Sequence, residues 1–149
     1  MKKTILLTII GLFFAAPSLA SSFGQDLAGT ILLQVQAHGE AWYVHPDKHT
    51  RHYLKDGEAA YTIMRFLSLG ISDGDLALIP SVVDTTEMNT SSSACSSNSL
   101  ANRLKGNILL QVEQNGEAWY IDVEKCRRIY LKDGEAAYDV MRFLGLGIT

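Results

Sequence analysis

The chain has 149 residues, of which 47% are hydrophobic, 9% aromatic and 19% charged, with a formal net charge of −3. That length allows a single domain. The mild acidity excludes the basic stripe that binding to a nucleic-acid backbone requires, so no nucleic-acid partner is expected.

Residues 1–20 read as a secretory signal peptide. Lys2 and Lys3 form a positive start, and Ile5–Ala16 is an apolar run that Pro17 breaks. A run of about a dozen residues falls short of the roughly 20 that span a bilayer. Ser18-Leu19-Ala20 puts small residues where a signal peptidase reads, so the mature chain is expected to begin at Ser21. The alternative is an uncleaved apolar anchor. Cleavage leaves 11 basic against 16 acidic side chains, a net charge of −5 that favours solubility. The expected location is secreted or periplasmic, with no transmembrane segment in the mature form.

Self-comparison organises the rest. Leu27–Ser72 aligns without gaps on Leu104–Thr149 at an offset of 77, with about two-thirds of the positions identical. A period of this kind marks a repeated supersecondary unit. The expected organisation is a first unit over 27–83, a flexible Ser/Thr-rich linker over 84–103 and a second unit over 104–149.

Each copy parses alike. Ile108–Glu113 and Glu117–Ile121 are predicted strands, joined by a turn at Asn115-Gly116, a strong hairpin signal. His38-Gly39 fills the same slot in the first copy. A two-residue turn sets Val112 opposite Trp119 and Leu110 opposite Ile121. Alternation then places Ile108, Leu110, Val112, Trp119 and Ile121 on the inner face, matched by Ile31, Leu33, Val35, Trp42 and Val44. Polar loops follow at His45–Thr50 and Asp122–Arg127, then third strands at Arg51–Leu54 and Arg128–Leu131.

Asp56 and Asp133 are expected helix N-caps, with Glu58 and Glu135 in the first turn. Ala60, Ile63, Met64 and Leu67 recur at helical spacing, as do Ala137, Val140, Met141 and Leu144, and Gly70 and Gly147 are expected to end the helices. The predicted fold is therefore α+β: two tandem β-β-β-α units, each a hairpin, a third strand and a covering helix. A unit this small is marginal alone. Asp73–Val83 is expected to complete the first core, and the second copy either is less stable or packs on the first. Repeat–repeat packing or a dimer would satisfy it.

Four sets of residues are candidate sites. On the outward hairpin face, Tyr43 is expected beside Gln34 and Tyr120 beside Gln111; a ring with an adjacent amide suits a sugar or a protein interface. His45, His49 and His52 surround one loop with Asp47, a donor set that zinc or copper could use. Their spacing matches no closed structural motif, and the first reading of the loop is an ordinary polar surface. Cys95 and Cys126 are expected to form an intramolecular disulfide in an exported chain, an intermolecular bridge or free thiols being the alternatives. Arg51, Arg65, Arg128 and Arg142 read as solvated or locally paired charges. No nucleophile, base and orienting group fall together, so neither an enzyme nor a cofactor is expected.

The strings GEAWYV, HYLKDGEAAY or IYLKDGEAAY, and MRFLGLGI resemble a short, poorly characterised tandem repeat of extracellular bacterial proteins, found singly, in tandem or appended to other domains. The likeness spans both copies and continues through Gly74–Pro80. It implies an exported repeat module and assigns no catalytic residue. The expected function is non-enzymatic binding at the cell envelope or exterior, with a glycan, peptidoglycan or protein as ligand. Two weak sites on one chain gain avidity when both engage. A metal-binding exported protein is the alternative.

Overall fold

A computed structural model describes residues 26–36, 38–82, 87 and 92–149. The signal peptide assigned to Met1–Ala20 lies outside them, as does Val83. The fold is α+β, with four helices and nine strands in two mixed sheets among the described residues. The first copy supplies β1 (Ile31–Gln34), β2 (Ala41–Val44), β3 (Arg51–Leu54), α1 (Gly57–Phe66) and β4 (Leu69–Ile71). Between the copies lie α2 (Asp73–Leu78), β5 (Ser81–Val82) and α3 (Ser99–Leu104). The second copy supplies β6 (Ile108–Gln111), β7 (Ala118–Ile121), β8 (Arg128–Leu131), α4 (Gly134–Leu144) and β9 (Leu146–Ile148). No helix among the described residues is long and apolar enough to cross a membrane.

The copies exchange strands. One sheet runs β3-β2-β1-β9 and the other β4-β6-β7-β8-β5. The last strand of each copy pairs parallel with the first strand of the other: β9 with β1 through Leu33↔Gly147, and β4 with β6 through Leu110↔Gly70. The two copies therefore pack on each other, and each β-β-β-α unit gains a further strand from the other copy. A single core joins Ile31, Tyr43, Leu54 and Met64 of the first copy to Ile108, Tyr120, Leu131 and Met141 of the second. The marginal size of one unit explains why: each copy buries enough apolar surface only by sharing.

Contacts about the pseudo-twofold relation are reciprocal. The Tyr43 hydroxyl donates to the Gly106 carbonyl at 2.7 Å, and the Tyr120 hydroxyl donates to the Gly29 carbonyl at 2.9 Å. Gly29 and Gly106 meet backbone to backbone, with φ of 76° and 77°; a Cβ on Gly29 would stand 2.3 Å from Gly106 Cα. A side chain fits neither the space nor the left-handed conformation. The starts of α1 and α4 approach as closely at Gly57 and Gly134.

Helix starts follow the sequence. Asp56 accepts from the Ala59 N–H at 2.8 Å and Asp133 from the Ala136 N–H at 2.9 Å, each satisfying a donor that the first turn leaves free. Ala60, Met64, Ala137, Val140 and Met141 are buried, as their helical spacing requires. The ends differ. Gly70 and Gly147 do not stop the helices but lie in β4 and β9. There they pass close to Val112 and Val35, at 3.1 Å and 3.2 Å from where a Cβ would sit.

The hairpin register also differs from expectation. Trp119 faces Leu109, not Val112, and Trp42 faces Leu32, not Val35. The slip is three residues, an odd number, which turns the second strand over relative to the first. Ile31, Leu33, Ile108 and Leu110 keep the inner face, but Ala41, Tyr43, Ala118 and Tyr120 replace the tryptophans and their neighbours opposite them. The cause is the exchanged strand. Val35 N–H donates to the Ile148 carbonyl and Val112 N–H to the Ile71 carbonyl, so each chain leaves the hairpin early. The loop then closes through Gln34 N–H to the Glu40 carbonyl and Gln111 N–H to the Glu117 carbonyl, both 2.9 Å, and not at a two-residue turn.

The segment between the copies is another correction. α2 and β5 were expected to complete the first copy but cover the second: Leu76 and Ile79 pack with Leu109 and Ile121, and β5 pairs parallel with β8. Within the expected flexible linker, 92–103 is ordered. Asn98 caps α3 by accepting from Ala101 N–H and donates its own amide to the Leu78 carbonyl. Cys95 is bonded to Cys126 at a Cα separation of 5.0 Å.

Candidate functional site

Turning β2 and β7 over moves an aromatic row to the outside of each sheet. On the first copy Trp42 lies across from Tyr53, ring centroids 4.9 Å apart, with the Arg51 guanidinium 4.6 Å from the Trp42 ring centroid. On the second, Trp119 and Tyr130 are 4.8 Å apart and Arg128 lies 4.7 Å over Trp119. Cross-strand neighbours and diagonal neighbours on one sheet face are within reach of such side chains, which is why the same three residue types make the same cluster twice. The tryptophans are half-buried, while Tyr53 and Tyr130 are 41% and 38% exposed.

The two rows have different surroundings. Burial lowers the Arg128 pKa, opposed by Glu117. Burial likewise raises the Tyr130 pKa, with the Glu117 carboxylate adding both charge and a hydrogen bond. A ring face edged by a guanidinium, a carboxylate and a phenol offers an apolar platform with donors and acceptors at its rim.

The residues expected to bind do not lie there. Tyr43 and Tyr120 are each 1% exposed, and their hydroxyls are committed across the two copies. Burial raises both phenol pKa values. Tyr43 pairs with Ile31, not Gln34, and Tyr120 with Ile108, not Gln111. Gln111 Nε2 donates to Asp73 of α2 at 2.7 Å. The outward site expected at Gln34, Tyr43, Gln111 and Tyr120 is thus corrected: the two tyrosines are core. The signal that could have found Trp42 and Tyr53 was the identical AWY and YLKDGEAAY strings, read in the other register.

The histidine loop is a structural turn. His45 is 8% exposed, and its Nδ1 accepts from the N–H groups of Asp47 and Lys48 at 3.2 and 3.4 Å. At the equivalent place Asp122 accepts from the N–H groups of Glu124 and Lys125. Histidine and aspartate therefore do one job, folding the loop with a side-chain acceptor. Burial, more than Lys48, lowers the His45 pKa and favours the neutral ring that this role needs. His52 reaches Thr50 at 3.2 Å, and its ring centroid is 6.4 Å from that of His45. His49 is exposed, with φ of 53°, where the second copy has Cys126 at 51°. Among the described residues no three His, Cys, Asp or Glu side chains are placed to hold a metal ion, so the alternative reading of His45, His49 and His52 as a zinc or copper set finds no such arrangement there.

A cavity of about 580 Å³ lies where the second copy's loop and the end of α4 meet the start of the first copy. Asp26, Asp122 and Glu124 line it with Lys125. No family model, curated protein or solved structure matches the chain.

Proposed function

We propose that the protein is an exported, non-enzymatic binding module of the cell envelope or exterior, and that its contact surfaces are the two outward rows Arg51–Trp42–Tyr53 and Arg128–Trp119–Tyr130. The observation that carries this reading is the repetition of one aromatic–cation cluster, with centroid separations agreeing within 0.1 Å, on both sheets. A flat ring with hydrogen-bonding groups at its edge suits a glycan, peptidoglycan included; an envelope protein is the other ligand class that such residues favour. The Cys95–Cys126 bridge supports export, because disulfides persist in oxidising compartments. Because the copies share one core, the two rows are held on a fixed body, which suits a ligand presenting repeated epitopes.

The test is retention of purified protein on isolated cell walls and on immobilised envelope extract. Tyr53→Ala with Tyr130→Ala should lower retention at least tenfold while the far-ultraviolet circular dichroism stays unchanged. Undiminished retention by this folded double variant would remove the rows from the binding surface.

A further inference from the structure

At an offset of 77, the outer faces of the two sheets present equivalent positions with different cover. On the second copy, Leu109, Ile121, Cys126 and Ile71 close around Leu76 of α2 and Ile79 just after it, and all six are buried. On the first copy the counterparts Leu32 and Val44 are also buried, but Ile148 is half-buried and His49 exposed, and the four line a cavity of about 260 Å³ together with Leu27 and Arg51. The adjoining edge repeats the contrast. β5 adds to β8 through Ser81↔Arg128 and Val82↔Ile129, and Arg128 N–H donates to the Pro80 carbonyl at 2.8 Å. The matching strand β3 pairs only with β2 among the described residues.

We propose that this cavity and the β3 edge dock a segment of another protein with the chemistry of Ser72–Val82: a short acidic helix carrying two aliphatic residues three apart, then a strand added parallel to β3. The second copy shows that a sheet of nearly the same sequence accepts such a segment. The polar contact of the covering segment has a counterpart too: Gln111 Nε2 donates to Asp73 at 2.7 Å, and Gln34 holds the equivalent place on β1. Strand addition supplies main-chain hydrogen bonds, and the apolar cavity supplies selectivity. The site shares Arg51 with the aromatic row but leaves the phenol of that row free, since Tyr130 stays 38% exposed with α2 and β5 in place.

The experiment titrates a synthetic Ser72–Val82 peptide into the purified protein to millimolar concentration and follows backbone amides by NMR. Saturable one-to-one binding is expected, with shifts at Arg51–Leu54, weakened at least tenfold in a peptide carrying Leu76→Asp and Ile79→Asp. A second measurement removes the penalty of ordering a free peptide. The sequence of Asp73–Val82 is joined directly after Thr149, which holds the place of Ser72. Amide exchange at Arg51–Leu54 should slow at least tenfold, and the same fusion with the two aspartates should not slow it. No response at Arg51–Leu54 in either format overturns the proposal. So do shifts confined to Arg128–Leu131, which would mean exchange with the chain's own segment. A dimer of the unaltered protein covering Arg51–Leu54 would also overturn it, by making a second copy the occupant.

Discussion

The two sheets differ less in sequence than in cover. Their first strands are both ILLQ, their second strands AWYV and AWYI, and their hairpin registers coincide after the shift of 77. Yet Cys126 is fully buried and Arg128 half-buried, while His49 and Arg51 at the same places are exposed. A tandem duplication has one internal connection for two equivalent faces. Here that connection gives α2, β5, α3 and the disulfide to the second copy. The inner faces, which look toward the pseudo-twofold relation, need no such help and stay alike. Asymmetry in this molecule is therefore a property of the outer layer and symmetry a property of the core.

The largest expected effect comes from attacking the shared centre, where the comparison predicts no difference between copies. Gly29→Ala and Gly106→Ala each force a Cβ into the other glycine's backbone at a positive φ. Overpacking and the left-handed penalty together should cost roughly 3–5 kcal/mol. Urea unfolding should give the same loss for either variant within error. A large difference between them would show that the centre is not shared equally.

Part of this was legible in the sequence. The α+β class, the Asp56 and Asp133 caps and the buried Ala60, Met64, Ala137, Val140 and Met141 follow from local pattern, and Cys95–Cys126 is the first of the pairings that two cysteines allow. The exchange of β4 and β9 does not, because Leu-Gly-Ile is too short to announce a strand and its partner lies in the other copy. The register error has the same root. Asn115-Gly116 reads as a two-residue turn only if nothing competes for Val112, and Ile71 does. With the register went the site: an odd slip moved Tyr43 and Tyr120 inward and carried Trp42 and Trp119 outward. Burial of Cys126 and capping by Asn98 were hidden for a different reason, since a Ser/Thr-rich composition describes solvation and is silent about a covalent tether.

An intermediate effect should fall on the second copy alone. Cys95→Ser with Cys126→Ser opens a loop of 31 residues of separation. Chain entropy sets the expected cost at about 3–4 kcal/mol. More telling than the size is the place. Hydrogen exchange should quicken through Ser99–Leu104 and at Ile129, making the second outer face resemble the first, while Ile31–Gln34 and Ala41–Val44 change only as global stability does. Equal local acceleration in both sheets would break the distinction between a tied cover and an open one.

The smallest effect separates the two loops by their acceptors. His45 and Asp122 fold equivalent turns, but only His45 exchanges a proton near neutrality. Burial, with Lys48 adding, places its folded pKa below the usual 6.5. Above that value the ring is neutral in both folded and unfolded chains and contributes no pH dependence. As the pH falls below about 6.5 the unfolded chain takes up the proton first, so folding stability declines until the folded pKa is passed and then levels off. Protonation also turns Nδ1 from acceptor to donor and removes both turn hydrogen bonds. His45→Asp copies the second loop and should flatten this slope between pH 7 and 5, read as the difference in urea midpoint between variant and parent. A parent and variant with parallel profiles over this range would mean that the His45 ring does not hold the loop, and that the likeness of the two turns lies in their backbones alone.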